Sequence, residues 1–168
     1  VGVLVQANFG GVLTVDGLKV GKALGRHDFH EQLAGQPEVA HDPEEGSIMV
    51  VIATDAPLGS RNLQRLAKRA PLGIARTGGY MSNGSGDFVI AFSTATRIRY
   101  MDPEPVREHA RLDNDRMSAL MLAVVEATEE SIYNALVAAE TMTGVDGRRV
   151  EALPLVKLRD MAVRRLQS

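Results

Sequence analysis

The stretch His41-Asp42-Pro43-Glu44-Glu45-Gly46-Ser47-Ile48-Met49-Val50-Val51-Ile52-Ala53 joins a polar loop to an unbroken apolar run. Such a run, without polar alternation, reads as a strand covered on both faces. It predicts the centre of a layered α/β fold, and Ser47 stands where loop becomes strand. A serine at the mouth of a rigid element can have its hydroxyl held still. Taken alone, a Gly-Ser pair in that position is an ordinary loop end, so the neighbouring segments decide what it means.

Downstream, Thr54-Asp55-Ala56-Pro57-Leu58 closes the strand. Asp55 can cap a helix there, with Pro57 in its first turn. Leu63, Leu66, Ala67, Ala70 and Ile74 fall on one helical face. Pro71 interrupts that face and predicts a kink or break, and Thr77-Gly78-Gly79 ends it. Phe88 to Thr96 reads as a second core strand. Asn114 to Met142 reads as one long helix closed by Gly144. Arg148 to Leu153 suggests a short strand and Pro154 to Leu166 a last helix with late basic residues.

Upstream, Val1 to Ala7 is a strand and Asn8-Phe9-Gly10-Gly11 a turn. Val12–Val15 and Leu18–Val20 suggest a hairpin around Asp16-Gly17, a dipeptide suited to a type I′ turn. Residues 21–46 carry no periodic signal and read as a flexible loop, where proteolytic events concentrate. The element order supports a layered α/β domain.

Composition narrows the function classes. The chain has 168 residues, 45% of them hydrophobic, which suits one domain with a real core. Aromatics are 4% and Trp is absent, so that core is aliphatic. A net charge of -2 gives no reason to expect nucleic acid or an anionic membrane. Zero cysteines exclude disulfides, thiol catalysis and thiolate metal sites. No apolar run reaches the roughly 18 residues that span a bilayer. The compartment, cytoplasmic or periplasmic, stays open. Val1 is not an initiator methionine, and Val1 to Val5 already reads as a strand in progress.

Further along lies Gly78-Gly79-Tyr80-Met81-Ser82-Asn83-Gly84-Ser85-Gly86-Asp87. Ser85 and Asp87 are two apart, so an extended backbone turns both to one face. Read locally, the same residues make a Gly-rich Asx or Ser turn. The glycines lack the Lys-Ser/Thr and the Rossmann spacing of phosphate sites, which excludes nucleotide binding. His27 and His30 are three apart and share a polar segment with His41; solvated surface histidines account for them better than a metal. His109 sits among charged residues and reads as surface. Asn8 is either a turn residue or a side-chain donor at a strand end.

Together, Gly46-Ser47 with its strand, the ATDAPL segment at 53–58, SNGSGD at 82–87 leading into 88–94, and Val5-Gln6-Ala7-Asn8-Phe9-Gly10 resemble the self-cleaving N-terminal-serine aminopeptidases. That family includes D-aminopeptidase/esterases and β-aminopeptidases, and the resemblance runs from Val1 to about Arg149. It implies a four-layer αββα sandwich of the N-terminal-nucleophile-hydrolase type, of which this chain is a part. It implies cleavage at Gly46-Ser47, with 1–46 ending one subunit and 47–168 forming the next. Ser47 becomes the nucleophile, and its freed α-amine, with a reference pKa of about 7.7–8.0, can serve as base. The resemblance assigns Ser85 and Asp87 to orienting hydroxyls and Asn8 to an oxyanion. Asp55 is left as a helix cap. No cofactor and no metal are implied. The implied partners are a small peptide, amide or ester substrate, a preceding region of the same precursor, and further α/β heterodimers in a homo-oligomer. Two rivals stand beside this reading. One is an acyltransferase resembling ornithine acetyltransferase, which uses threonine where Ser47 stands. The other is a non-catalytic or truncated structural subunit.

Overall fold

A computed structural model describes residues 1–35, 46–97, 100–101 and 108–167 of the chain. The central element is β2 (Ser47–Thr54), in which Ile48, Val50, Ile52 and Thr54 are buried in strict alternation. β2 lies between β1 (Gly2–Asn8) and β3 (Gly86–Ser93) in a three-stranded sheet of order β1-β2-β3. β1 pairs with β2 antiparallel, from Gly2↔Ala53 to Asn8↔Ser47. β3 pairs with β2 in parallel, from Ser47↔Gly86 to Thr54↔Ser93. A parallel pair needs a crossover, and α3 (Ser60–Ala67) with α4 (Ala70–Arg76) supply it.

The helices cover one sheet face. Ile48, Val50 and Ile52 meet Leu66, Ala70 and Ile74 of the crossover and Met117, Val124 and Ile132 of α5 (Met117–Ala138). Val3, Val5, Val89 and Ala91 pack at the edges of this core. Ser131 Oγ on α5 donates to the Val3 carbonyl at 3.1 Å, and Arg76 on α4 pairs with Glu129 on α5 at 3.1 Å. The opposite sheet face presents Leu4, Met49, Phe88, Ile90 and Phe92, all exposed among the described residues. The architecture is α/β, with one helical layer and one sheet layer of the four-layer αββα sandwich. The bare apolar face is the one that a second sheet meets in such a sandwich.

The Asp16-Gly17 turn and the break at Pro71 form as the sequence predicts. Asp16 and Gly17 both take positive φ, 46° and 74°, as a type I′ turn requires, but only Val15 and Leu18 bridge across it. The helical face breaks between Ala67 and Ala70, with Pro71 in the first turn of α4.

Other expectations are corrected. Asp55 does not cap a helix, because α3 starts only at Ser60 behind Gly59. The intervening residues are held by the ends of β2 and β3 instead: Thr54 Oγ1 accepts from Ala56 N at 3.1 Å, and Ser93 Oγ donates to Ala56 O at 2.6 Å. The segment expected as a loop from 21 holds two short helices, α1 (Val20–Leu24) and α2 (His30–Leu33); positions 36–45, with His41, lie outside the described residues. The long helix opens with a 3₁₀ turn at Asn114–Arg116 and ends at Ala138, where Ala139 turns extended (ψ 141°). Gly144 is therefore no helix cap. It starts the tight connection between β4 (Met142–Thr143) and β5 (Arg149–Val150), donating to the Arg148 carbonyl at 2.8 Å. The last helix, α6, runs Leu155–Leu166.

Candidate functional site

The candidate residues gather at the end of the sheet where β2 begins. Ser47 is the first residue of β2, in register with Asn8 on one side and Gly86 on the other. Register partners share a face. Asn8, Ser47 and Gly86 therefore lie on the face opposite the buried Ile48. Ser47 is half-buried and Asn8 exposed. Among the described residues no hydrogen bond engages either side chain.

Gly46 is fixed closely from both sides. Its carbonyl oxygen accepts from the Gly86 amide at 3.2 Å. A Cβ at Gly46 would press to 3.1 Å on Phe9 Cα and 3.3 Å on the Asn8 carbonyl oxygen, so the end of β1 leaves no comfortable room for a side chain. Carbonyl and amide of a trans peptide point in opposite directions. The Gly46 oxygen faces β3, so the Ser47 amide faces β1.

Ser85 and Asp87 come together. Ser85 Oγ donates to Asp87 Oδ1 at 2.9 Å, and the Ser85 amide closes a turn on the Ser82 carbonyl at 2.9 Å. Both readings of this segment thus coexist, a turn and a hydroxyl–carboxylate pair. The pair is on the helix side of the sheet, since Asp87 is in register with the buried Ile48. It lines a narrow cleft with Phe9, Ile74, Tyr80 and Met81. Among the described residues no hydrogen bond joins this pair to Ser47, one position away in register on the other face.

Two features were not visible in the residue pattern. Tyr80 Oη donates to Asp28 Oδ2 at 3.0 Å, and its ring leans on Phe29 at a centroid distance of 6.2 Å. Tyr80 and Phe29 are 51 positions apart in the sequence numbering, and no local signal links them. The second is the crossing of the chain after β1 with the end of α4. Val12 N donates to Gly78 O at 3.0 Å and Thr14 N to Thr77 O at 2.9 Å. This crossing ties the Asn8 end of β1 to the segment that leads into Ser85 and Asp87.

The expected histidines are elsewhere. His27 Nδ1 lies 2.7 Å from the Asp28 carbonyl oxygen, and its ring meets His30 edge-on at 5.0 Å. Among the described residues no group of three His, Asp or Glu side chains is arranged to hold a metal. A cavity of about 600 Å³ opens between the 9–28 segment, α5 and Val150–Leu153. It reaches Asn8 but not Ser47, Ser85 or Asp87. No helix of the described residues is long and apolar enough to cross a membrane.

The model of peptidase family S58 matches residues 1–150. The chain is 44% identical over 165 residues to a beta-peptidyl aminopeptidase of Sphingosinicella microcystinivorans, across 95% of this chain and 42% of that protein. Among solved structures, the PH0078 protein of Pyrococcus horikoshii OT3 superposes with a TM-score of 0.78 at 43% identity, over 96% of this chain and 42% of that one. An L-aminopeptidase D-Ala-esterase/amidase of Ochrobactrum anthropi, described as a prototype of the serine aminopeptidases and a variant of the Ntn hydrolase fold, gives a TM-score of 0.76 at 30% identity. That match covers 97% of this chain and 48% of the other. The chain thus spans less than half the length of these relatives.

Proposed function

The chain belongs to peptidase family S58, and we propose on that premise that it is the nucleophile-bearing part of a self-processing serine aminopeptidase or amidase. The observation that carries the reading is the Gly46–Ser47 peptide: glycine hemmed in by β1, its carbonyl anchored on β3, and a serine hydroxyl on the open face beside it. Ser47 Oγ attacks the Gly46 carbonyl carbon, and the peptide becomes an ester. Water then releases the chain ending at Gly46, leaving a subunit that begins at Ser47 with a free α-amine. That amine, near neutrality in reference pKa, serves as general base in later turnovers.

Asn8 is assigned to donate its side-chain NH₂ to developing negative charge. Its register with Ser47 on a shared face supports this. Ser85 and Asp87 are assigned to polarise and orient hydroxyls, supported by their mutual bond at 2.9 Å. Their last link, to Ser47, requires the Ser85 hydroxyl to turn around the end of the sheet. The substrate class is a small peptide, amide or ester with a free amino end. The 44% identical β-peptidyl aminopeptidase makes β-aminoacyl amides the first substrates to try. The protein is further proposed to work with the region that precedes this chain in its precursor and as a homo-oligomer of the resulting heterodimers.

The test is the intact mass of the full-length protein with N-terminal sequencing of its fragments. A fragment beginning Ser47-Ile48-Met49 is expected, together with hydrolysis of an aminoacyl p-nitroanilide. Ser47→Ala should abolish both. A single uncut species, stable over days and inert toward the anilide, overturns the proposal and leaves a structural subunit.

A further inference from the structure

We infer that the main-chain N–H of Gly86 is an oxyanion donor, first to the Gly46 carbonyl during self-cleavage and then to the carbonyl of the acyl group that Ser47 takes from substrate. This rests on Ser47 being the self-cleaving nucleophile. The Gly86 amide already donates to the Gly46 oxygen at 3.2 Å. That oxygen lies in the plane of the sheet, toward β3, while the Ser47 side chain leaves on the bare face. A nucleophile must approach a carbonyl from above its plane, so attack and donation do not compete for space. The ground-state bond is slightly longer than the 2.7–3.1 Å at which donors hold an oxyanion. It therefore has room to tighten as charge develops, which is the condition for lowering a barrier.

The atoms balance without another donor. Ser47 Oγ bonds to the Gly46 carbon, the carbonyl electron pair moves to oxygen against the Gly86 N–H, and the C–N bond breaks. The Oγ proton passes to the departing Ser47 nitrogen. Water then adds to the ester, its hydroxide going to the Gly46 carbon and its remaining proton returning to Oγ. Departure of Gly46 leaves the Gly86 N–H as an unpaired donor at the end of the ladder, a group that must find a new acceptor. A substrate acyl carbon esterified to the same Oγ puts its carbonyl oxygen in the vacated position. One amide thus serves both reactions.

The residue type at 86 allows a direct test. Gly86 opens β3, and the first residue of a strand is a position that tolerates proline. Proline removes the N–H, and alanine keeps it. A Cβ at 86 meets Phe88 at 3.7 Å and Ser47 Cβ at 3.8 Å, ordinary contacts, so alanine fits. Gly86→Ala and Gly86→Pro are made in the full-length protein, and the Ser47 fragment is followed by mass. Both variants should retain the wild-type circular dichroism, with Gly86→Pro cleaving about 100-fold or more slowly than Gly86→Ala. Equal rates in the two variants overturn the inference while leaving the Ser47 reading intact. An uncut wild-type protein brings down that reading and this inference with it. Should Gly86→Pro fail to fold, the processed wild-type enzyme is crystallised with an aminoalkylboronic acid. A boronate on Ser47 Oγ with an oxygen about 2.7–3.1 Å from Gly86 N is expected. An adduct whose oxygens all lie beyond about 3.5 Å from that nitrogen refutes it.

Discussion

Gly78→Ala tests the backbone crossing that anchors the site. Gly78 has φ 95°, outside the ordinary range of L-residues, and such strain costs about 1–3 kcal/mol. A Cβ there would lie 2.6 Å from the Val12 carbonyl carbon and 3.2 Å from Leu13 Cα. Both are main-chain atoms, so no side chain can swing aside. The crossing must open, and it is held by the Val12–Gly78 and Thr14–Thr77 bonds at 3.0 and 2.9 Å. Losing them costs about 0.5–1.5 kcal/mol each. The sum is about 4 kcal/mol, or a fall in melting temperature of roughly 8–16 °C at 2–4 °C per kcal/mol. Gly147→Ala is the control, since Gly147 has φ 73° but nothing within 4 Å of its Cβ position; it carries strain alone, roughly 1–2 kcal/mol. The assay is thermal unfolding of the full-length protein, at one scan rate, for both variants. Should Gly78→Ala melt no lower than Gly147→Ala, the crossing is not a tight clasp.

Asn8→Ala should lower kcat on an aminoacyl p-nitroanilide by about 10²–10³ with little change in KM; a rise in KM alone would assign Asn8 to binding. Asp87→Asn removes the carboxylate that holds Ser85 and should slow both processing and hydrolysis by about 10²–10⁴; unchanged rates in both assays would leave Ser85–Asp87 as a turn. Tyr133 Oη on α5 lies 3.0 Å from both the Thr14 carbonyl oxygen and Glu129 Oε1. Burial pushes its pKa up to about 12, with the hydrogen bond and charge of Glu129 adding to the rise. The fold thus holds the phenol proton more tightly than the unfolded chain does. That contribution is complete below the unfolded value of about 10 and is lost as pH climbs from there toward 12. Melting temperature should drop across this window, and less steeply in Tyr133→Phe; identical pH slopes would show that Tyr133 is not the group responsible.

The apolar run after Ser47 was enough to identify β2, and the Pro71 break and the Asp16-Gly17 turn follow from local sterics that tertiary packing left alone. Asp55 was misread because capping preference is a local argument. The Thr54 side chain turns the segment locally, and Ser93 holds it from the neighbouring strand, a contact that local sequence does not show. The Asp146-Gly147 pair, with φ 59° and 73°, carries the same turn chemistry as Asp16-Gly17. Its flanking strands are two residues each, too short to announce themselves by alternation. The candidate site residues were legible as motifs, and the bond between Ser85 and Asp87 follows from their spacing. Which face each occupies was not. Faces depend on the register between β2 and β3, and one residue of slip exchanges them.

The antiparallel ladder between β1 and β2 has a consequence for the life of the folded protein. Its seven register pairs join residues that lie on opposite sides of the Gly46–Ser47 bond in the sequence. Scission of that bond would make two molecules by connectivity and leave one sheet intact. Before the cut, regaining the fold after denaturation is a unimolecular search within one chain. After it, the halves must meet by diffusion, and the effective concentration that the covalent link supplied is gone. Recovery then depends on dilution, and stability becomes a matter of how slowly the halves part. The scission proposed to arm Ser47 would also make folding a passage taken once.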